Sequence, residues 1–271
     1  MCRDIRVAMI MSVYKSDSPL DFKKSLLSVF NQTVPCDVFL FQDGDISREL
    51  ELVIEEFFDK IKILKNNHNV GLATALNKLI DSLDLSFYDF VARMDSDDIC
   101  APTRIEKQIE FMNDNPDVDV SGCYCREFGA SYALDIKRLP TSHEDLLDFS
   151  ITRCPFIHPT VIFRTEIFSA GFRYPVNTKF TEDMALWFEL LLAGYRFGNL
   201  DLALLDYRLN ENTIERRQGL LKGISEFKLR LKYMFLLKRL TLRNFLLISL
   251  RVLFHLLPSF LLKVLYSKYR S

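Results

Sequence analysis

The sequence lacks an excess of charge of either sign. Its 35 Lys and Arg nearly balance 36 Asp and Glu over 271 residues, leaving a net charge of −1. That balance argues against general nucleic-acid binding by the whole chain. No two cysteines stand as C-x-x-C: the six are at 2, 36, 100, 123, 125 and 154, which argues against a zinc site. Cys123 and Cys125 alternate with Tyr124 and suit one face of a strand. A secretory signal is missing, because Arg3, Asp4 and Arg6 precede only a short apolar run. The expected compartment is therefore cytoplasmic, and the expected state of the cysteines is the free thiol. Internal repeats, low-complexity segments and flexible linkers are absent. The length then implies one large domain, alone or with an appendage. Apolar residues are abundant, at 49% with 23 Phe, enough for a sizeable core.

These apolar residues come in strand–helix units. Arg6 to Ser12 reads as a buried strand, followed by a helix opening at Pro19 with Leu26, Leu27 and Phe30 on its core face. Val38 to Phe41 is a second strand, with Leu50, Val53, Ile54 and Phe57 on the next helix. Ile61 to Leu64 is a third, and Gly71 begins a helix carrying Leu72, Ala75, Leu76 and Leu79. Phe90 to Met94 is the fourth. Four such units in series argue a parallel, Rossmann-like sheet with right-handed crossovers. Each strand ends in polar residues: Ser12, Asp43, Asn66 to Asn69, then Asp95 to Asp98. Those ends should share one edge, where such sheets bind nucleotides. Beyond Pro116, strands are expected at Val118 to Tyr124, Tyr132 to Lys137, Val161 to Phe163 and Leu202 to Tyr207. Helix starts are expected at Ser142 and at Thr181-Glu182-Asp183.

The most informative stretch is Phe90-Val91-Ala92-Arg93-Met94-Asp95-Ser96-Asp97-Asp98. A buried strand stops at three carboxylates within four residues, and Pro102 suits the first turn of a following helix. Carboxylates so close repel one another and stay ionised together most easily around a divalent cation. A hard cation, Mg²⁺ or Mn²⁺, takes oxygen ligands and would also take phosphate oxygens from a substrate. The plainer reading is an acidic loop at a helix N-terminus, where negative charge is favourable.

Acid is missing from the end of the chain. Glu226 is the last acidic residue, and ten Lys and Arg follow it. From about Leu220 the composition is helical, with basic and apolar residues interleaved. Phe245 to Leu262 is nearly long enough to span a bilayer, but Arg251, His255 and Pro258 interrupt it. A basic amphipathic helix lying on an anionic membrane surface fits this tail better. The bland alternative is a helix packed on the domain.

With these parts in place, the sequence resembles a family 2 glycosyltransferase of the GT-A fold, in the bacterial capsule, exopolysaccharide and O-antigen branch. The resemblance rests on an ordered set over about 210 residues: Met11 to Lys15, Asn31-Gln32-Thr33, Asp43-Gly44, Asn69-Val70-Gly71-Leu72 and Ala75-Leu76-Asn77. It continues through Ala92 to Asp98, Pro102-Thr103-Arg104, His158-Pro159-Thr160, Glu182-Asp183 with Leu186-Trp187, Tyr207-Arg208 and Arg216-Arg217. It implies an α/β, mostly parallel central sheet flanked by helices, with a helical C-terminal tail. Residues 1–219 would form the catalytic domain, with 1–115 the nucleotide-binding half and 116–219 the acceptor side. Residues 220–271 would form the tail.

The resemblance also implies roles. Ser12, Tyr14, Asp43, Asn69 and Asp95 would hold a nucleotide-sugar donor, with UDP the expected carrier. Asp97 and Asp95 would hold Mn²⁺ or Mg²⁺, and Asp98 would cap the loop. Family members often carry two acids before the Gly of Asp43-Gly44; here the first is Gln42. Asp183 would be the base that takes a proton from the acceptor hydroxyl in an inverting displacement. Arg216 and Arg217 would neutralise the diphosphate. His158 reads as a packed, satisfied histidine. The expected acceptor is a saccharide or a lipid-linked saccharide, and the expected location is the inner face of the cytoplasmic membrane, peripherally bound. The competing classes are a nucleotidyltransferase and a catalytically silent nucleotide-sugar-binding module. The first usually carries a Gly-rich phosphate loop after the first strand, where this chain has Ser12-Val13-Tyr14-Lys15-Ser16-Asp17. Intact Asp95, Asp97 and Asp183 argue against the second.

Overall fold

The computed structural model describes residues 5–178, 181–212, 219–254, 257 and 262. The first half alternates strand and helix: β1 (Val7–Tyr14), α1 (Pro19–Phe30), β2 (Asp37–Asp43), α2 (Arg48–Glu56), β3 (Ile61–Asn66), α3 (Leu72–Ser82) and β4 (Phe90–Arg93). Two-residue β5 (Ile99–Cys100), α4 (Arg104–Asp114), β6 (Val120–Phe128) and α5 (His143–Thr152) follow. Then come a 3-10 turn at His158–Thr160, β7 (Ile162–Arg164), α6 (Glu166–Ser169), α7 (Glu182–Leu192) and β8 (Phe197–Arg208). Helices α8 (Leu220–Leu236) and α9 (Leu242–Phe254) form the tail.

The strands join one eight-stranded sheet in the order β3-β2-β1-β4-β7-β6-β8-β5. Pairing is parallel from β3 through β4, as the four strand–helix units require. The other half is mixed: β7 runs antiparallel to β4 and β6, while β8 runs parallel to β6. Strand β1 is covered on both faces, which explains its unbroken apolar run. Val7, Met9, Met11 and Val13 pack with α1, α2 and α4, whereas Ala8 and Ile10 pack with α3 and α7.

Three local expectations need correction. Tyr132 to Lys137 is not a strand; it is a loop tied to β6 by a bridge between Cys125 and Lys137 and by the Glu127 N–H, which donates to the Leu134 carbonyl at 2.9 Å. The loop is pinned also by its aromatic side chain: Tyr132 is buried, and its hydroxyl donates to the Asn210 carbonyl at 2.8 Å. Pro102 precedes α4 rather than filling its first turn. Its carbonyl accepts the Thr33 N–H at 2.9 Å, which ties the approach to the end of α1. The last strand begins at Phe197, five residues before the apolar alternation suggests, and an irregular register near Tyr124 disguises the start.

Helix α8 is no free appendage. Its Tyr233 and Met234, with Ile248 of α9, pack on Ile151 of α5 and on Met184 and Phe188 of α7. Among the described residues, no helix is long and apolar enough to cross a membrane.

Candidate active site

Parallel pairing brings three strand ends into one row: Tyr14 lies beside Asp43, and Asp43 beside Asn66. Ser12 and Tyr14 are half-buried on the same face of β1 as Ile10. Asp43 is only 4% exposed, and its carboxylate accepts from the Val70 N–H (2.7 Å), the Gly71 N–H (3.1 Å) and the Asn69 side-chain amide (2.9 Å). A carboxylate has room for about four such bonds, so one position remains for a ligand donor. Gly44 makes the approach possible. Its φ is +85°, and a Cβ there would sit 2.8 Å from the Asn69 nitrogen. The result is a rigid shelf formed by Asp43, Gly44 and the loop 69–71.

The acidic loop lies at the next strand end. Carboxylate oxygens of Asp95, Asp97 and Asp98 lie within 4.8 Å of one another. The loop is held from four sides. Ser25 donates to the Asp95 carbonyl at 2.7 Å, and Arg104 to the Arg93 carbonyl at 2.9 Å. The Arg208 N–H donates to an Asp98 oxygen at 2.7 Å, and its Nε to the Asp97 carbonyl at 3.0 Å. Asp17 bridges this loop to β1: one of its oxygens accepts from Ser96 Oγ at 2.8 Å and from the Tyr14 N–H at 3.0 Å.

The electrostatics of the loop favour a cation among its carboxylates. Burial, then the charge of Asp95, pushes the Asp97 carboxyl up to about 6. Burial pushes Asp17 up to about 7, with Asp97 and Asp95 adding repulsion. Asp98 is fully buried and raised well above the ordinary range, by burial first and then by Asp95 and Asp97. Its Oδ2 is buried without a partner. A cluster of oxygen-only ligands with an orphaned carboxylate oxygen is a donor set suited to a hard divalent cation. Asp98 thus belongs to the cluster more closely than its expected role as a loop cap.

The acid pair opens α7. One Asp183 oxygen accepts the Met184 N–H at 2.7 Å, and the other lies 3.6 Å from Cys154 Sγ. Burial raises the Glu182 carboxyl. Trp187 anchors the helix among Phe156, Phe163 and Phe197, at centroid distances of 5.0, 5.6 and 6.1 Å. The two acidic centres share a neighbourhood. Arg93, 2% exposed, pairs with Asp95, and its Nε and Nη1 are buried without partners. The buried Tyr174 phenol is raised first by burial, and it feels the charges of Asp183, Glu182 and Asp95 as well as that of Arg93. Its hydroxyl meets His158 Nε2 at 3.0 Å. Burial and Arg93 hold His158 well below its usual range, so it is a neutral, packed histidine. Arg216 and Arg217 lie outside the described residues.

The model of the family described as glycosyl transferase family 2 matches residues 9–176. The chain belongs to this family. It is 32% identical over 268 residues to the amylovoran biosynthesis glycosyltransferase AmsE of Erwinia amylovora, covering 97% of this chain and 99% of that one. It is 35% identical over 229 residues to a UDP-Gal:α-D-GlcNAc-diphosphoundecaprenol β-1,3-galactosyltransferase of Escherichia coli, covering 82% and 81%. Among solved structures it superposes on a mannosyltransferase of Pyrobaculum calidifontis in complex with GDP-Man and Mn²⁺, with a TM-score of 0.63. That match covers 98% and 85% of the chains at 14% identity, and it shows the GT-A fold. This glycosyltransferase therefore has the fold and enzyme class that its ordered motifs imply.

Several residues around the site escape a reading of the sequence alone. Asp17 and Arg208 join the acidic loop across 79 and 111 positions. Arg208 carries a signal, since Tyr207-Arg208 belongs to the ordered set; Asp17 carries none. Tyr174 and Cys154 become visible only once α7 is seated.

Proposed function

We propose that this glycosyltransferase is an inverting, metal-dependent enzyme of bacterial cell-surface polysaccharide synthesis. The donor is a nucleotide sugar, with UDP the favoured carrier, and the acceptor is a saccharide or a lipid-linked saccharide. The observation that carries this reading is the cluster of Asp95, Asp97 and Asp98 carboxylate oxygens within 4.8 Å of one another, at a strand end of the same sheet edge as the Asp43 shelf. The relative acting on GlcNAc-diphosphoundecaprenol supports a UDP-sugar donor and a lipid-linked acceptor. Asp97, Asp95 and Asp98 would hold Mn²⁺ or Mg²⁺, and that ion would supply charge stabilisation to the departing diphosphate. Ser12, Tyr14, Asp43 and Asn69 hold the nucleoside on the shelf. Asp183 takes the proton of the acceptor hydroxyl as its oxygen bonds the anomeric carbon. The bond to the diphosphate breaks with its electron pair, and a single displacement inverts the anomer.

The tail fits a membrane-bound acceptor. Leu242 and Phe235 are 76% and 70% exposed, with Leu240 and Leu246 beside them and Lys238, Arg239 and Arg243 interleaved. Apolar side chains rimmed by cations suit an anionic membrane surface. These features support peripheral binding at the inner face of the cytoplasmic membrane.

The decisive test is Asp183→Asn, which keeps size and much hydrogen bonding but loses basicity. Sugar transfer should fall by about 10²-fold or more. Nucleotide binding in Mn²⁺, measured by calorimetry, should stay within a few fold of wild type. Near-normal transfer would move the base elsewhere, with Glu182 the first candidate. Lost nucleotide binding would make Asp183 a donor-site residue.

A further inference from the structure

Arg230 of α8 is 2% exposed, an expensive place for a permanent charge. Its Nη1 donates to two carbonyls, Ser150 and Ile151, each at 2.8 Å. Those carbonyls belong to the last turn of α5, where helical acceptors have no partner within the helix and a cation is favourable. Its Nε pairs with Glu226 at 2.8 Å, and Arg251 of α9 closes on the same carboxylate at 2.7 Å. Such a buried network is a weak source of stability, because apolar replacements of similar volume commonly serve as well. Its geometry fixes where α5 ends. Three residues beyond Ile151 stands Cys154, whose thiol lies 3.6 Å from the free oxygen of Asp183. An apolar route runs alongside. Met184, next to Asp183, packs with Ile151 and Met234, and Phe188 stacks on Tyr233 at 4.8 Å with rings 7° apart.

We infer that helix α8 is a positioning element of the catalytic base: Arg230 sets the end of α5, and Cys154 then holds the Asp183 carboxylate through its thiol. This rests on the reading of Asp183 as base. The tail thus has two duties. One face meets the surroundings and the other holds the chemistry in register. A thiol suits the task because S–H is a weak donor, able to orient a carboxylate while leaving it basic. Burial first, and then the charge of Asp183, pushes the Cys154 thiol up to about 12, so the proton stays on sulfur. The other groups facing this corner are Glu182 and Tyr174, while Arg230 and Lys137 act on Cys154 and Lys222 on Glu182.

The test uses the full-length protein and four variants: Arg230→Met, Arg230→Lys, Cys154→Ala and Cys154→Ser. Sugar transfer is followed against pH, nucleotide binding in Mn²⁺ by calorimetry, and folding by the thermal midpoint. Arg230→Met should lower kcat by about tenfold to a hundredfold, the scale of a slightly misplaced group, with nucleotide affinity within a few fold. Arg230→Lys should recover part of that loss. Cys154→Ala should move the acidic limb of kcat to higher pH, and Cys154→Ser, a stronger donor, to lower pH. A folded Arg230→Met enzyme with wild-type kcat overturns the inference. So does a pair of Cys154 variants with the wild-type pH profile, which decides the matter if Arg230→Met does not fold. Asp183→Asn separates the two readings. If it abolishes transfer while these four variants behave as wild type, the positioning role fails and the base stands. If Asp183→Asn transfers normally, the base reading itself fails.

Discussion

Asp43 shows how much one side chain organises. Its carboxylate serves two backbone N–H groups and one amide, so Asp43→Ala leaves Val70 and Gly71 without acceptors. An unmade bond to a buried group costs about 1–3 kcal/mol. Asp43→Ala should lose about that much stability in urea unfolding and at least tenfold in nucleotide affinity. A variant with intact stability would mean that the loop 69–71 is held by other contacts. Asp97→Ala tests the metal assignment. It should abolish Mn²⁺-dependent turnover and weaken donor binding far more in Mn²⁺ than in chelator. A variant that keeps the normal Mn²⁺-dependent gain in donor affinity would remove Asp97 from the metal site. The carboxylates at strand ends are legible in the sequence because an apolar run halting at acids has few structural explanations. Asp17 and Tyr174 are not, because their meaning lies in partners far along the chain.

At the scale of elements, α7 is the part most dependent on packing. Trp187 is fully buried, yet its indole N–H has no partner. Trp187→Phe removes that orphan donor while leaving a small gap, so it should cost under about 1.5 kcal/mol. Trp187→Ala should cost about 3–5 kcal/mol and loosen the seat of Asp183. Equal losses for the two variants in denaturant unfolding would contradict this account. The sequence announces α7 by its acid pair and apolar run, and it announces β1 to β4 by buried runs bounded by polar ends. It does not announce β5, which has two residues and exists only through pairing with Leu205 and Asp206. Tyr132 to Lys137 misleads because a buried aromatic in a loop looks the same as one in a strand.

At the scale of the whole molecule, the crowded acids of one loop should make stability depend on pH. Asp17 and Asp97 are pushed up to about 7 and about 6, and Asp98 is raised as well, all by burial first. A folded-state value above the unfolded one near 3.8 means stability that is present below about pH 4 and lost as pH rises through 6 and 7. In chelator, the thermal midpoint should therefore fall between about pH 5 and 7.5. A cation held by the cluster replaces the protons, so the gain from Mn²⁺ should grow over the same window. A gain independent of pH would argue against a metal among these carboxylates. At the membrane, high salt should release the enzyme from anionic vesicles, since surface attraction is screened, and L240E with L242E should do the same. Retention through both would require a deeper anchor. The half of the sheet built from strand–helix units is legible because each unit is written in one short run of residues; the closing of the acidic loop depends on long-range pairing. That dependence has a consequence for the order of events on the ribosome. The acidic loop is encoded by residue 98, but its strand partner and Arg208 arrive more than a hundred residues later. A nascent chain thus carries its acids for a long time before it can close them into a site. Donor binding should begin only when β8 has emerged.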